Sequence, residues 1–342
     1  MTHSKKPVTL KTIAQLLGLT PATISKALRD SFDISKKTRK LVKEKAEELG
    51  YHPNIMARSL IKRRSHILGI IVPDLGHSFF AELAQGIYET ARLFGYESII
   101  MVHDENDNIE KRNLQFLSAL NVDGLLIASV PSITNNGLIK RIRERGTPFV
   151  CFDRIVDGLE FCSVTIDDYK ASMKLMNYII EDKRKNIVFI GPLKNLFVAK
   201  GRYKGYCSAL KNSGIKIRPE YVIECKTTAD DANLKMKTVI NSGLKFDAIM
   251  CVSGLIAFGA GQAILNAGLS IPDDVLLAEF GDNNIVHRLG VPFVTIDQFP
   301  YEMGKKSLEM ILELIENKEQ EKEEKHVFVD TRLIIHNAKN NL

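Results

Sequence analysis

Apolar residues recur every three or four positions near the start of the chain, the spacing of a buried helix face. Leu10, Ile13, Ala14 and Leu17 make the first such face, with Thr9 placed to cap the helix and Gly18 able to take the left-handed conformation that ends it. A second helix can begin at once. Thr20 is a capping type, Pro21 has its φ pre-set for a first helical position, and Ile24, Ala27 and Leu28 form the next apolar face. Ser35 can cap a third helix through Lys37, Leu41, Val42, Lys45, Ala46 and Leu49, with Gly50 as the stop. The pattern over residues 1–50 predicts a compact all-α head built on helix, tight turn, helix.

Tyr51-His52-Pro53-Asn54 then breaks the chain, and Asn54 can cap a short segment from Ile55 to Ile61 before the basic run Lys62-Arg63-Arg64. Residues 51–65 read either as a solvated linker or as a hinge helix that folds against DNA, with Leu60 as a wedge and Ala57 and Arg58 in the minor groove. From Ile67 the texture changes to short β-rich runs alternating with amphipathic helices. Strands are expected at Ile67 to Val72, Tyr96 to Val102, Gly124 to Ala128 and Pro148 to Phe152, with helices at Phe79 to Phe94, Ile109 to Leu120 and Leu138 to Arg145. The pattern restarts at Val164 to Ile166. It continues through helix Tyr169 to Ile180, strand Ile187 to Ile190, helices Arg202 to Lys211 and Asp231 to Ile240, strand Ala248 to Val252, helix Ile256 to Asn266 and strand Val275 to Phe280.

Such alternation predicts two doubly wound subdomains, each a parallel sheet covered by helices on both faces. Val294 to Ile296, followed by a helix Tyr301 to Ile315, is expected to return the chain to the first subdomain, and a strand His326 to Ile335 to finish on the second. The expected boundaries are residues 66–165 plus 297–325 for the first and 166–296 plus 326–342 for the second. Several crossings of this kind make a hinged cleft. Ligands of open α/β sheets sit beyond the carboxyl ends of the strands, which points to the loops at Asp74 to Phe80, Asp153-Arg154, Gly191 to Arg202, Ser253-Gly254 and Gly281 to Asn284.

Composition narrows the class. With 45% hydrophobic and 26% charged residues, the chain has ordinary globular make-up, and no apolar run reaches the roughly 20 residues of a membrane span. The N-terminus lacks the apolar core of a signal peptide, so a cytoplasmic location is expected. The five cysteines, Cys151, Cys162, Cys207, Cys225 and Cys251, have neither a disulfide-framework pattern nor zinc spacing; no metal and no cofactor is expected. Charge is unevenly spread. Residues 1–65 carry 15 Lys and Arg against 5 Asp and Glu, a net +10, while the rest carry 32 against 36, a net −4. A basic head on a mildly acidic body suits a polyanion such as DNA. The outward face of the second helix carries Pro21, Ala22, Thr23, Ser25, Lys26 and Arg29, with no carboxylate before Asp30, and can enter a major groove.

At these residues the chain resembles the LacI/GalR transcriptional regulators. The resemblance rests on V-T-L-K-T-I-A-Q-L-L-G-L-T-P-A-T-I-S-K-A-L from Val8, E-L-G-Y-H-P-N-I-M-A-R-S-L from Glu48, I-L-G-I-I-V-P-D-L-G-H-S-F-F from Ile67, P-F-V-C-F-D-R from Pro148 and L-S-I-P-D-D-V from Leu269. It implies a helix-turn-helix head, a hinge helix and a periplasmic-binding-protein-like core, acting as a homodimer on pseudo-palindromic operator DNA under a small carbohydrate effector. The candidate DNA-binding set is Thr9, Thr20, Pro21, Ala22, Thr23, Ser25, Lys26, Arg29, Asn54, Ala57, Arg58 and Leu60; the family's base-reading positions fall on Pro21, Ala22 and Lys26, where Lys26 replaces a frequent Arg.

The resemblance places the effector on Phe79, Phe80, Asp153, Val198, Arg202, Ser253, Gly281 and Asp282. Each of these also has a plainer role open to it: the phenylalanines can be core and Asp153-Arg154 an internal pair. Glu279-Phe280-Gly281-Asp282 stands where the family reads Gly-Phe-Asp-Asp, and Ser253-Gly254 where it reads Asn-Asp. Two carboxylates are thus missing, and with Arg202, Lys194 and Lys200 nearby the expectation is a repressor of a carbohydrate-utilisation operon with a sugar effector, in a pocket suited to an acidic sugar. An enzyme of the Rossmann type is disfavoured, because the turn after the first core strand is V-P-D-L-G-H-S-F-F, without G-x-G-x-x-G or a P-loop. A free solute-binding protein would not need the basic head.

Overall fold

The computed structural model describes residues 8–51, 64–76, 78–130, 132–155, 161–193, 197–281, 283–317 and 325–337. The chain divides into two compact units, Met1–Ser65 and His66–Leu342.

The head consists of α1 (Leu10–Leu17), α2 (Pro21–Leu28) and α3 (Lys36–Glu48). Eight-residue helices such as α1 and α2 do not persist alone in water, so caps and shared burial must hold them. Each helix has its cap. Thr9 Oγ1 accepts from the Thr12 N–H while the Thr12 hydroxyl accepts from the Thr9 N–H, Thr20 Oγ1 accepts from the Thr23 N–H at 3.1 Å, and Ser35 Oγ accepts from the Thr38 N–H at 3.1 Å. Ile13 and Ala14 of α1, Ile24 and Ala27 of α2, and Val42 and Ala46 of α3 close into one small core.

The larger unit holds two six-stranded sheets. Its elements are β1 (Ile67–Val72), α4 (Ser78–Leu93), β2 (Glu97–Val102), α5 (Asp107–Ala119), β3 (Gly124–Ile127), α6 (Asn136–Glu144), β4 (Phe149–Phe152) and β5 (Cys162–Thr165), then α7 (Asp168–Glu181), β6 (Ile187–Gly191), α8 (Phe197–Asn212), β7 (Val222–Glu224), α9 (Ala229–Asn241), β8 (Ala248–Cys251), α10 (Gly254–Asn266) and β9 (Leu276–Phe280). A short α11 (Asn283–Val286), β10 (Phe293–Asp297), α12 (Pro300–Glu316), β11 (His326–Phe328) and β12 (Arg332–His336) complete it. The first sheet runs β11-β5-β4-β3-β1-β2 and the second β12-β10-β9-β8-β6-β7; every pairing is parallel except β10 with β12. The central strands β3, β4, β5, β8 and β9 are buried along their whole length, as strands covered on both faces must be.

Two sequence expectations are corrected here. Val294 to Ile296 does not itself return to the first subdomain; it pairs with β9 in the second sheet, and only α12 crosses back to pack on α4. The run His326 to Ile335 is not one strand finishing on the second sheet. His326–Phe328 pairs with β5 in the first sheet, and only Arg332–His336 pairs with β10 in the second. The α4–α12 packing is close because both faces use glycine: a Cβ on Gly86 would meet the Tyr301 carbonyl, and one on Gly304 the Leu83 carbonyl.

Candidate functional site

In the head, Ile24 and Ala27 are buried while Pro21, Ala22, Lys26 and Arg29 are exposed, with Thr23 and Ser25 half-buried beside them. The outward face of α2 is therefore free to meet a groove. Thr9 and Thr20 spend their oxygens on caps, and the Thr20 and Thr23 hydroxyls bond each other at 2.9 Å. Arg29 Nε donates to the Ser25 carbonyl at 3.0 Å. Lys26 Nζ donates to Asp33 Oδ2 at 2.5 Å, a pairing seven positions apart that helix spacing does not foretell. Asn54, Ala57, Arg58 and Leu60 lie outside the described residues, as does the hinge they were assigned to.

In the larger unit, one cavity of about 160 Å³ gathers the carboxyl ends of both sheets. The first sheet supplies Asp74 after β1, Glu105 after β2, and Asp153 and Arg154 after β4; the second supplies Thr227, Ser253 after β8, Gly281 after β9 and Gln298 after β10. Helix starts add Phe79 and Phe80 from α4 and Val198 and Arg202 from α8. Phe79, Phe80, Asp153, Val198, Arg202, Ser253 and Gly281 are thus brought together. Asp282 and Lys194 lie outside the described residues, and Lys200 is exposed rather than on the cavity wall. Asp74, Glu105, Arg154, Thr227, Phe280 and Gln298 are among the other residues of the wall.

Arg202 is the centre of this wall, and its side chain is only 5% exposed. Its Nε donates to Asp168 Oδ1 at 2.7 Å, Nη1 to the Val252 carbonyl, and Nη2 to Gln298 Oε1 at 2.9 Å, while the guanidinium lies 4.1 Å from the Phe280 ring centre. Three of its five N–H donors are used internally, which leaves two. Asp168 is as buried as its partner, and burial pushes its carboxyl up to about 6 against the pull of Arg202. Asp153 is likewise raised by burial, opposed by Arg154 and Arg202. Arg154 Nη1 sits 2.8 Å from Glu105 Oε1, and its guanidinium 5.8 Å from the Phe80 ring centre. Phe79 and Phe80 meet edge to face at 5.0 Å and belong to the core, so they wall the cavity from within it.

These contacts correct the expectation of an acid-poor cleft. Asp74, Glu105 and Asp153 line the cavity and Asp168 stands behind Arg202, so the charge of Arg202 is already matched within the protein. Gly281 has a local reason: its φ is +70, and a Cβ there would run into the Gln298 amide. The Gln298 side chain fills the space where a carboxylate at 281 would begin. Around the cavity, Ser253 Oγ, Asp168 Oδ2 and Arg154 Nε are buried without a hydrogen-bond partner. Ser253 makes no side-chain cap bond although it sits at the N-cap of α10, and it is one of the residues that line the cavity. Among the described residues no cluster could hold a metal, and no helix is long and apolar enough to cross a membrane.

A helix-turn-helix head joined to a two-sheet, cleft-bearing core defines a class of ligand-responsive DNA-binding proteins. Known proteins agree. Residues 9–54 match the model of bacterial regulatory proteins of the lacI family, and residues 65–337 match that of periplasmic binding proteins and the sugar binding domain of the LacI family. The chain is 33% identical over 314 residues to the HTH-type transcriptional regulator RegA of Clostridium saccharobutylicum, spanning 91% of this chain and 93% of that one. It is 28% identical to the catabolite control protein A of Priestia megaterium, with 91% and 93% covered. Its fold is that of the lac repressor dimer bound to operator and the anti-inducer ONPF, with a TM-score of 0.85 at 21% identity over 96% of this chain and 98% of that one. The chain belongs to the LacI family and is a DNA-binding transcriptional regulator with a sugar-binding core.

Proposed function

We propose that this regulator is a repressor that works in the cytoplasm as a homodimer on two inverted half-sites, and that an uncharged, monosaccharide-sized polyol in the cleft sets its operator affinity. The observation that carries the reading of the cleft is its balance of charge. Each arginine of the wall already faces a carboxylate, Arg202 with Asp168 and Arg154 with Glu105, so an anion finds no unmatched cation. Hydroxyl groups both donate and accept, which suits the remaining N–H groups of Arg202, the Asp153 carboxyl and the unpartnered Ser253 hydroxyl. Phe80 and Phe280 offer ring faces and edges to the apolar side of a sugar. By volume the cavity holds about ten waters, the scale of one sugar ring with its hydroxyls.

Support for the dimer comes from the open edge of the first sheet. Ile100 on the edge strand β2, Leu93 and Phe94 at the end of α4, and Phe116 on α5 are exposed apolar groups on neighbouring elements, and Leu93 is 84% exposed. Such a group on one side of a soluble domain is characteristic of an interface. On DNA, α2 enters the major groove with Pro21, Ala22 and Lys26 toward the base edges, while Thr23, Ser25 and Arg29 meet the backbone.

Calorimetry with neutral hexoses and pentoses, uronates and sugar phosphates tests the cleft assignment. A neutral sugar should bind best, and Ser253→Ala should weaken it. Tightest binding by a uronate or a sugar phosphate would overturn the charge argument while leaving the family assignment in place.

A further inference from the structure

We infer that Lys26 does not read DNA alone: Lys26 and Asp33 act as one composite reader that selects a G·C over an A·T base pair in each half-site. The inference rests on the proposed placement of α2 in the major groove. Lys26 Nζ lies 2.5 Å from Asp33 Oδ2, so the Asp33 carboxylate stands on the surface that the base-reading ammonium presents. Both side chains remain accessible, at 49% and 38% exposure. The other acid of this loop, Asp30, is turned elsewhere, 2.6 Å from Lys43 and 4.0 Å from Arg39 of α3. Asp33 is therefore the acid in contact with the recognition face.

An acid there is a cost for a head that must approach phosphates, and as an exposed ion pair it adds little to stability. Its chemistry fits a base edge. A lysine ammonium has three donors and no acceptor; with one donor on Asp33, two remain for guanine N7 and O6. A carboxylate has spare acceptor sites on its second oxygen, and the neighbouring cytosine presents the N4 amino group as a donor. The pair then offers donors and an acceptor in the order that a G·C edge requires. An A·T edge presents an acceptor, a donor and an acceptor, and mismatches it. A lone lysine would donate to guanine N7 or O6, adenine N7 or thymine O4 alike, so the discrimination comes from Asp33. The carboxylate also keeps the ammonium from settling on a phosphate oxygen.

The test uses the full-length protein. Duplexes are selected from a random pool by the wild type at fixed salt, every position of the selected half-site is substituted singly, and each duplex is titrated with wild type, Asp33→Asn and Lys26→Ala. In the wild type one G·C position should lose on the order of tenfold affinity on change to A·T. Asp33→Asn should fold as the wild type does by thermal melt, bind random DNA more tightly, and lose that preference at this one position while keeping the others. Lys26→Ala should lose the same preference together with overall affinity. Asp33→Asn with an unchanged preference at that position, or with equal losses at all positions, refutes the composite reader while the DNA-binding reading stands. Failure of the wild type to select any sequence would refute both.

Discussion

Arg202 shows how one side chain serves both the fold and the site. Its guanidinium ties α8 to Asp168, to the end of β8 and to Gln298 after β10, and still leaves two of its five donors over at the wall of the cavity. Removing it strands a buried carboxyl. Arg202→Ala should cost the core about 3–5 kcal/mol in urea unfolding, whereas Arg202→Met combined with Asp168→Leu should cost much less, because neither charge is left alone. Asp168 also makes stability depend on pH. Its carboxyl titrates near 6 in the folded core against an ordinary 3.8, so the folded state holds this proton more tightly than the unfolded chain. The stability it contributes is fully present below the unfolded value and is lost as pH rises to about 6. Urea midpoints from pH 4 to 7 should fall less steeply in Asp168→Asn than in the wild type, with the slope due to Asp153, raised in the same direction, remaining. An identical slope in the two proteins would contradict the burial argument. At Gly281, installing the missing carboxylate as Gly281→Asp should lower the melting temperature, because the side chain meets Gln298 and φ is +70. Adding Gln298→Ala should relieve only the collision.

At the scale of elements, short helices depend on their ends. Thr20→Ala removes the cap of α2, and should cost the head about 1 kcal/mol in thermal unfolding and weaken operator binding, while effector affinity of the core stays unchanged. Caps of this kind were legible in the sequence because they are local: Thr9, Thr20 and Ser35 each lie beside the donors they satisfy. So were the alternating strands and helices of both subdomains, whose apolar periods need no partner to be recognised. Pairing was less legible. His326 to Ile335 reads as one strand, yet it holds two short strands that join different sheets, and the polar break at Asp330-Thr331 does not say which sheet each joins. The site divides in the same way. Residues on the loops after strands could be collected from the topology, but Asp168 is 34 positions from Arg202, and Gln298 gains its meaning only from the Gly281 backbone it presses on. The sequence exposed a lost carboxylate at 281; the acids that restore the balance follow β1, β2 and β4 and stand at the start of α7.

For the whole molecule, the proposed function couples sugar in the core to the hold of the head on DNA. A dimer is needed for two half-sites, and the surface proposed for it is the exposed apolar group at the edge of the first sheet. The double substitution Leu93→Glu and Phe94→Glu should convert a dimer to a monomer in sedimentation equilibrium and weaken operator binding, without changing sugar affinity, since neither residue lines the cavity. Both sheets end on that cavity, so a ligand bridging Asp153 or Arg154 on one side to Arg202 or Ser253 on the other favours one closure of the two halves over another. Coupling of this kind is commonly worth about 1–3 kcal/mol. The direct measurement is a fluorescence-anisotropy titration of a selected operator duplex at fixed salt, repeated with each neutral sugar that calorimetry shows to bind. A shift of operator Kd by roughly 5- to 150-fold with at least one such sugar is the predicted result. Operator binding that no bound sugar moves would contradict it.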